Sequence, residues 1–230
     1  MKLACSAFLA AALLCVPASL AAERYELPLL DEAASYDYVK GLDKASIIPL
    51  AAAAIWPASF ALICEDGQAF PAALAYAESF ALAFVSKELL KMALPRDRPY
   101  VYGDGELDGE LLDEADESFP SGHTTLAFCA ATSFATLALG LAPDHPATPW
   151  LVAGGYGLAL GTAGLRIASG CHFPSDVLAG ALLGSGIGWL VTAANIRFGK
   201  LGEDAGRGEG KAAFLGFSFG PSSLLVDISL

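Results

Sequence analysis

Between residues 46 and 196 the chain carries five long runs with almost no charge: 46–64, 69–86, 124–142, 146–165 and 177–196. The first holds 19 residues, which at about 1.5 Å per helical residue reach roughly 28 Å, close to the hydrocarbon thickness of a bilayer. In lipid each backbone N–H and C=O must be satisfied within the chain, which leaves helices or closed barrels. Apolar periodicity does not separate such runs from buried helices of a soluble bundle, but their length and number select the membrane. The expected fold is all-α: a multi-spanning membrane helix bundle of about five core helices. Glu78 is the single charge within the second run; a carboxylate there is costly and is expected to face the bundle interior in a polar contact. Pro49 and Pro57 are expected to kink the first span. The glycine-rich stretches 154–164 and 180–188 read as surfaces where helices approach closely.

Composition agrees. Only 17% of residues are charged and 55% are hydrophobic, against about 25% charged in a soluble domain. The net charge is −12, and eight acids fall between Asp104 and Glu117, so no basic surface for nucleic acid is expected. This acidic segment reads as a solvated spacer, with a gate for anionic substrate or a cation-binding loop as the sharper alternative. Residues 1–22 form one unit, a signal peptide or a first membrane helix: Lys2 precedes an apolar stretch, and small residues around Ser19 and Ala21 favour cleavage. Residues 23–196 form the helical domain after a polar lead-in at 23–45. Residues 197–230 are a polar tail, in which two apolar runs flank 220–223 as in a β-hairpin. With the signal removed, Cys64, Cys129 and Cys171 remain, a scatter that makes neither a disulfide framework nor a metal spacing.

Polar residues gather in three places: KMALPRDRP at 91–99, PSGH at 120–123 and RIASGCHFPSD at 166–176. Counting crossings puts all three on one face of the membrane, the extracytoplasmic one. Lys91, Arg96, Arg98 and Arg166 supply positive charge, and arginine offers forked donors that match phosphate oxygens. Ser121 and Gly122 stand where the backbone amides of a helix start are unpaired, a ready anion site. Asp176 lies four residues after His172, with Pro174 suited to the first helical turn. Its carboxylate is expected to accept from one ring nitrogen of His172, leaving the other to attack phosphorus. His123 would then donate a proton to the leaving oxygen. Arg96 reads as a surface charge and His145 as a loop residue on the opposite face.

These residues resemble the type-2 phosphatidic acid phosphatase superfamily, whose pattern is K-x6-R-P, then P-S-G-H, then S-R-x5-H-x3-D. Lys91 with Arg98-Pro99 matches the first part, Pro120–His123 the second, and Arg166, His172 and Asp176 the third. Leu165 stands where the pattern has serine. The resemblance covers about residues 46–196. It implies His172 as the nucleophile of a phosphohistidine, Asp176 as its orienting carboxylate and His123 as general acid and later base. It implies Lys91, Arg98, Ser121, Gly122 and Arg166 as phosphate ligands, with no metal or other cofactor. The implied protein is an integral membrane phosphatase of a bacterial-type cell envelope. Its substrate would be a lipid phosphate or pyrophosphate such as phosphatidic acid, phosphatidylglycerol phosphate, a polyprenyl pyrophosphate or lipid A. The competing readings are a soluble exported acid phosphatase, a vanadium haloperoxidase of the same superfamily, and a non-catalytic membrane protein with a vestigial site. The lipid tail, the head group and the oligomeric state are not legible in the residues.

Overall fold

Of the two prolines in the first run, Pro49 is absorbed within a helix and Pro57 marks a change of helix type. A short helix α1 (Lys40–Ala45) leads into α2 (Ile47–Ile55), and a 3-10 stretch follows over Trp56–Leu62. Pro49 sits in the first turn of α2, where a missing N–H is tolerated, and Pro57 opens the tighter 3-10 turns. Together Lys40–Leu62 are long and apolar enough to cross a membrane. Four further helices share that property: α3 (Ala69–Ala93), then, after a one-turn helix α4 (Gly109–Asp113), α5 (Gly122–Leu141), α6 (Thr148–Ala168) and α7 (Pro174–Phe198). This computed structural model describes residues 31–107, 109–198, 201, 215–220 and 223–228. The expected signal at 1–22 lies outside them, as do residues 202–214 of the tail.

The helix α5 is the axis of the bundle. Within its most apolar window 67% of residues are buried, against 22–39% for the other four spans. Its core side is made of small residues, Ala127, Ala130, Ala131 and Ala138 among them, so neighbouring backbones can close in. The tightest approach is from α7. Gly180, Gly184 and Gly188 of α7 recur every fourth residue and meet α5 at Ser121, Thr125, Cys129 and Ser133. A methyl group at Gly180 would lie 2.7 Å from the Ser121 carbonyl oxygen, and one at Gly188 2.7 Å from that of Cys129. This is the small-residue packing expected of 180–188. In the other glycine-rich stretch, Gly154 and Gly155 seat the Trp56 indole, whose Nε1 donates to the Leu151 carbonyl at 2.8 Å, while Gly157 and Gly164 face open space.

Away from the site, Phe60, Phe134, Leu137 and Ile196 close one end of the bundle. Outward, Ile48, Phe70, Met92, Trp150, Leu160 and Leu182 are exposed, an apolar exterior suited to lipid. Glu78 corrects the expectation of an inward carboxylate: it is exposed and accepts from Asn195 Nδ2 of α7 at 3.0 Å. Its neighbour Ser79 takes the buried place, sharing a hydrogen bond with Thr192. Beyond the bundle, strands β1 (Leu215–Gly220) and β2 (Ser223–Ile228) pair antiparallel, with Gly220 opposite Ser223.

Candidate active site

At one end of the bundle α3 and α6 finish while α5 and α7 begin. The polar clusters of the sequence therefore meet there. The α5 start is tied to α7 by the Ser121 amide, which donates to the Asp176 carbonyl at 3.1 Å. The turn between α6 and α7 passes through Gly170 at φ +73°, where a side chain would be strained and a Cβ would stand 2.5 Å from the Asp37 carbonyl oxygen. That close approach lays residues 35–39 over the site, with the Val39 amide donating to the Ser169 carbonyl at 3.1 Å.

His172 lies in this turn and is 1% exposed. Its Nδ1 is 2.8 Å from the Ser118 carbonyl oxygen. A carbonyl only accepts, so Nδ1 carries the proton and Nε2 keeps its lone pair. Burial pushes the imidazole well below its ordinary value of 6.5, and the charges of Arg166, Arg98 and Lys91 act in the same direction. The ring is therefore neutral at neutral pH. His123, at the second position of α5, is only partly buried. It stands at the helix start that the Ser121 amide ties to Asp176 of α7, four residues after His172.

Asp176 corrects the expected pairing. It is fully buried, but its carboxylate does not take the His172 ring proton. Oδ2 accepts from the Phe173 amide at 2.9 Å and from Ser118 Oγ at 2.6 Å, and Oδ1 accepts from Arg96. As the third residue of α7 it turns back to cap its own helix, a general use of acids at that position. The ring is left to Ser118, which holds both partners, His172 by its carbonyl and Asp176 by its hydroxyl. Arg96 is a second correction. It is no surface charge: its guanidinium bridges two fully buried carboxylates, Asp31 and Asp176.

The three cations of the motif pair with acids. Lys91 Nζ is 3.1 Å from Glu117, Arg98 is 2.9 Å from Glu114, and Arg166 pairs with Asp43. The cationic side chains are 4–13% exposed, whereas those of Glu114 and Glu117 are 58% and 46% exposed. The Nε atoms of Arg98 and Arg166 are buried with no hydrogen-bond partner. Two of the acids belong to the segment 104–117, which is thereby more than the solvated spacer expected of it. Its end runs beside the first cluster, the Arg98 amide donating to the Ala115 carbonyl and the Arg96 amide to that of Asp116, both at 2.8 Å. Asp43 is steadied by the Tyr38 hydroxyl at 2.9 Å.

Ser121 and Gly122 depart from expectation in part. The Ser121 amide is taken by Asp176, and its hydroxyl is shared with Thr124 at 3.0 Å. The space above Gly122 is filled by Lys87, whose Cδ would be 3.0 Å and Nζ 3.6 Å from an added Cβ. The α5 start still presents the amides of Gly122 and His123, which have no acceptor within the helix. Lys87 is 8% exposed and pairs with Glu88. Its signal in the sequence was its place one helical turn before Lys91, on the same face. Asp31, Asp43 and Ser118 carried no such signal. His145 is exposed in the loop between α5 and α6, at the other end of the bundle. Cys171 is buried and burial pushes its thiol up, so it is a packed thiol with little thiolate character. Among the described residues no group of three His, Cys, Asp or Glu forms a metal seat.

A lipid A 1-phosphatase of Porphyromonas gingivalis is 42% identical over 76 residues, 33% of this chain and 16% of that protein. The chain thus matches only a small part of that relative's length. A crystal structure of a transmembrane PAP2 type phosphatidylglycerolphosphate phosphatase from Bacillus subtilis aligns with a TM-score of 0.41 at 20% identity, over 70% of this chain and 90% of that one. The family model of the PAP2 superfamily matches residues 72–199, more than half of the 230 residues and all three polar clusters. The chain belongs to the PAP2 superfamily.

Proposed function

We propose that the protein is a membrane phosphatase that hydrolyses a lipid phosphate ester, with His172 as nucleophile. The observation that carries this reading is a set of three largely buried cations at the helix ends that bear His123 and His172, two of them with Nε groups that have no partner. Buried donors without acceptors are costly, and a tetrahedral oxyanion would satisfy them. The substrate phosphate takes the place of Glu117 on Lys91 and of Glu114 on Arg98, the two acids most open to solvent. Asp43, held by Tyr38, stays nearer to Arg166.

The neutral His172, with its proton on Nδ1, attacks phosphorus through Nε2. The P–N bond forms as the P–O bond to the lipid breaks, and His123 gives its proton to the departing oxygen. Water then attacks the phosphohistidine. His123 takes the proton from that water, the P–N bond breaks, and inorganic phosphate and the neutral ring are restored. The Gly122 and His123 amides and the cations neutralise charge on the equatorial oxygens, where most of the acceleration of phosphoryl transfer arises. The signal-like residues 1–22, with two apolar spans between them and the site, support a site facing the extracytoplasmic side. Candidate substrates are lipid A, which the Porphyromonas relative's name specifies for that protein, phosphatidylglycerol phosphate, phosphatidic acid and a polyprenyl pyrophosphate.

The test is phosphate release from this panel by purified protein in detergent, with p-nitrophenyl phosphate as a soluble comparison. His172→Ala is expected to abolish release, and vanadate, which mimics the pentacoordinate state, to inhibit. Sustained turnover by His172→Ala would remove the nucleophile assignment. Preference for the soluble ester over every lipid would favour the acid-phosphatase reading.

A further inference from the structure

We propose that Arg96, together with Asp31, is a positioning element for His172, gripping both of the supports that aim its ring. The inference rests on His172 being the nucleophile. Neither residue belongs to the motif positions, and neither is placed to meet a substrate: Asp31 is fully buried and Arg96 points into the protein between two carboxylates.

Arg96 holds the first support through its main chain. The Ser118 amide donates to the Arg96 carbonyl at 2.9 Å, which locates the very residue whose carbonyl accepts from His172 Nδ1. Its side chain holds the second. One guanidinium nitrogen donates to Asp176 Oδ1 and, at 2.7 Å, to Ser175 Oγ, while the other donates to Asp31 at 2.7 Å. The guanidinium plane lies 4.3 Å from the centroid of Phe173, the residue next to His172. Asp31 completes the grip by accepting from the Ser175 amide at 2.9 Å and its hydroxyl at 2.8 Å. Burial opposes the charge on Arg96, but Asp176 and Asp31 outweigh it and push its pKa up, so the guanidinium stays charged. The chain of contacts runs Asp31, Arg96, Asp176, Ser118, His172. A guanidinium fork can serve two carboxylates at once, which a lysine ammonium cannot do with the same geometry.

A loose ring costs rate without costing phosphate affinity, because Arg96 is not among the cations that meet the anion. Arg96→Ala keeps the main-chain bonds and removes the side-chain grip. It is expected to lower kcat on the order of 100-fold, the effect of a small misplacement of a reacting group, with KM and the inhibition constant for inorganic phosphate unchanged and vanadate inhibition weakened along with kcat. Added guanidinium ion should restore part of the lost kcat, and Arg96→Lys should not recover it. Asp31→Asn should lower kcat in the same way, by less. Where Arg96→Ala does not yield folded protein, Asp31→Asn and Arg96→Lys carry the same measurement. Unchanged kcat in these variants would overturn the proposal. So would a parallel loss of kcat and of affinity for substrate and inorganic phosphate with no guanidinium rescue, which would mark a general brace. His172→Ala run alongside separates the two readings: turnover in that variant removes the nucleophile itself, whereas its inactivity beside a fully active Arg96→Ala removes only the positioning role.

Discussion

Two sets of arginine–carboxylate pairs stand close together at the polar end of this bundle, and they differ in the burial of the acid. Arg96 pairs with Asp31 and Asp176, whose side chains are completely buried. Arg98 pairs with Glu114, whose side chain is 58% exposed. A buried carboxylate that loses its partner is left uncompensated and costs several kcal/mol, so the first set is permanent. An exposed ion pair contributes about 0–1 kcal/mol, so an incoming anion displaces it easily. Two arginines of one short stretch thus differ in setting, the first locked between buried acids and the second paired with an open one, as the proposed seat for phosphate requires. The lesson is that burial of the partner, more than the presence of the pair, decides which cation is available.

The largest effect expected to sharpen this contrast comes from removing a seat cation. Arg98→Ala and Arg166→Ala should each lower kcat/KM by about 10²–10³-fold, as loss of one charge-stabilising donor generally does, and weaken vanadate inhibition in step. Arg98→Ala with unchanged inhibition by inorganic phosphate would collapse the distinction from Arg96. The pH dependence of stability tests the buried ring next. His172 in the folded protein lies well below the 6.5 of the unfolded chain. Below pH 6.5 the unfolded state therefore binds a proton that the folded state refuses, and stability falls as pH drops, at up to about 1.4 kcal/mol per pH unit. Thermal unfolding in detergent between pH 7 and 5 should show this fall, and His172→Gln should flatten it; an identical slope in that variant would contradict the buried neutral ring. The smallest effects belong to the acids over the seat. Glu114→Gln and Glu117→Gln remove competitors of the substrate phosphate, and KM should fall by a few-fold, in keeping with exposed pairs of about 0.2–1 kcal/mol. A rise in KM would mean that these carboxylates help to build the seat.

The helices and the motif residues were legible because each rests on a local pattern. Length and the absence of charge define the five spans, and the placements of Lys91, Arg98, His123 and His172 follow from where those spans end. The glycine-rich stretch 180–188 announced a contact face by its small residues, and the structure puts Gly180, Gly184 and Gly188 on it. What misled was side-chain partnership. Asp176 and His172 have the spacing of a hydrogen-bonded pair, yet the carboxylate caps its helix and Ser118 takes the ring. Arg96 reads as a surface charge because the partner that buries it, Asp31, is 65 residues away. The acidic segment reads as a spacer because Glu117 meets Lys91 across 26 residues of chain.

The residues by themselves determined that this chain forms apolar helices with two histidines and a set of cations at their shared end, because helix length, charge exclusion and helix-start chemistry are properties of contiguous sequence. Only the tertiary structure decided which cations are locked and which are open, and which atom holds the His172 proton. Those choices depend on burial and on partners from distant segments, quantities that exist only once α3, α5, α6 and α7 have packed and the 31–43 segment has closed over them.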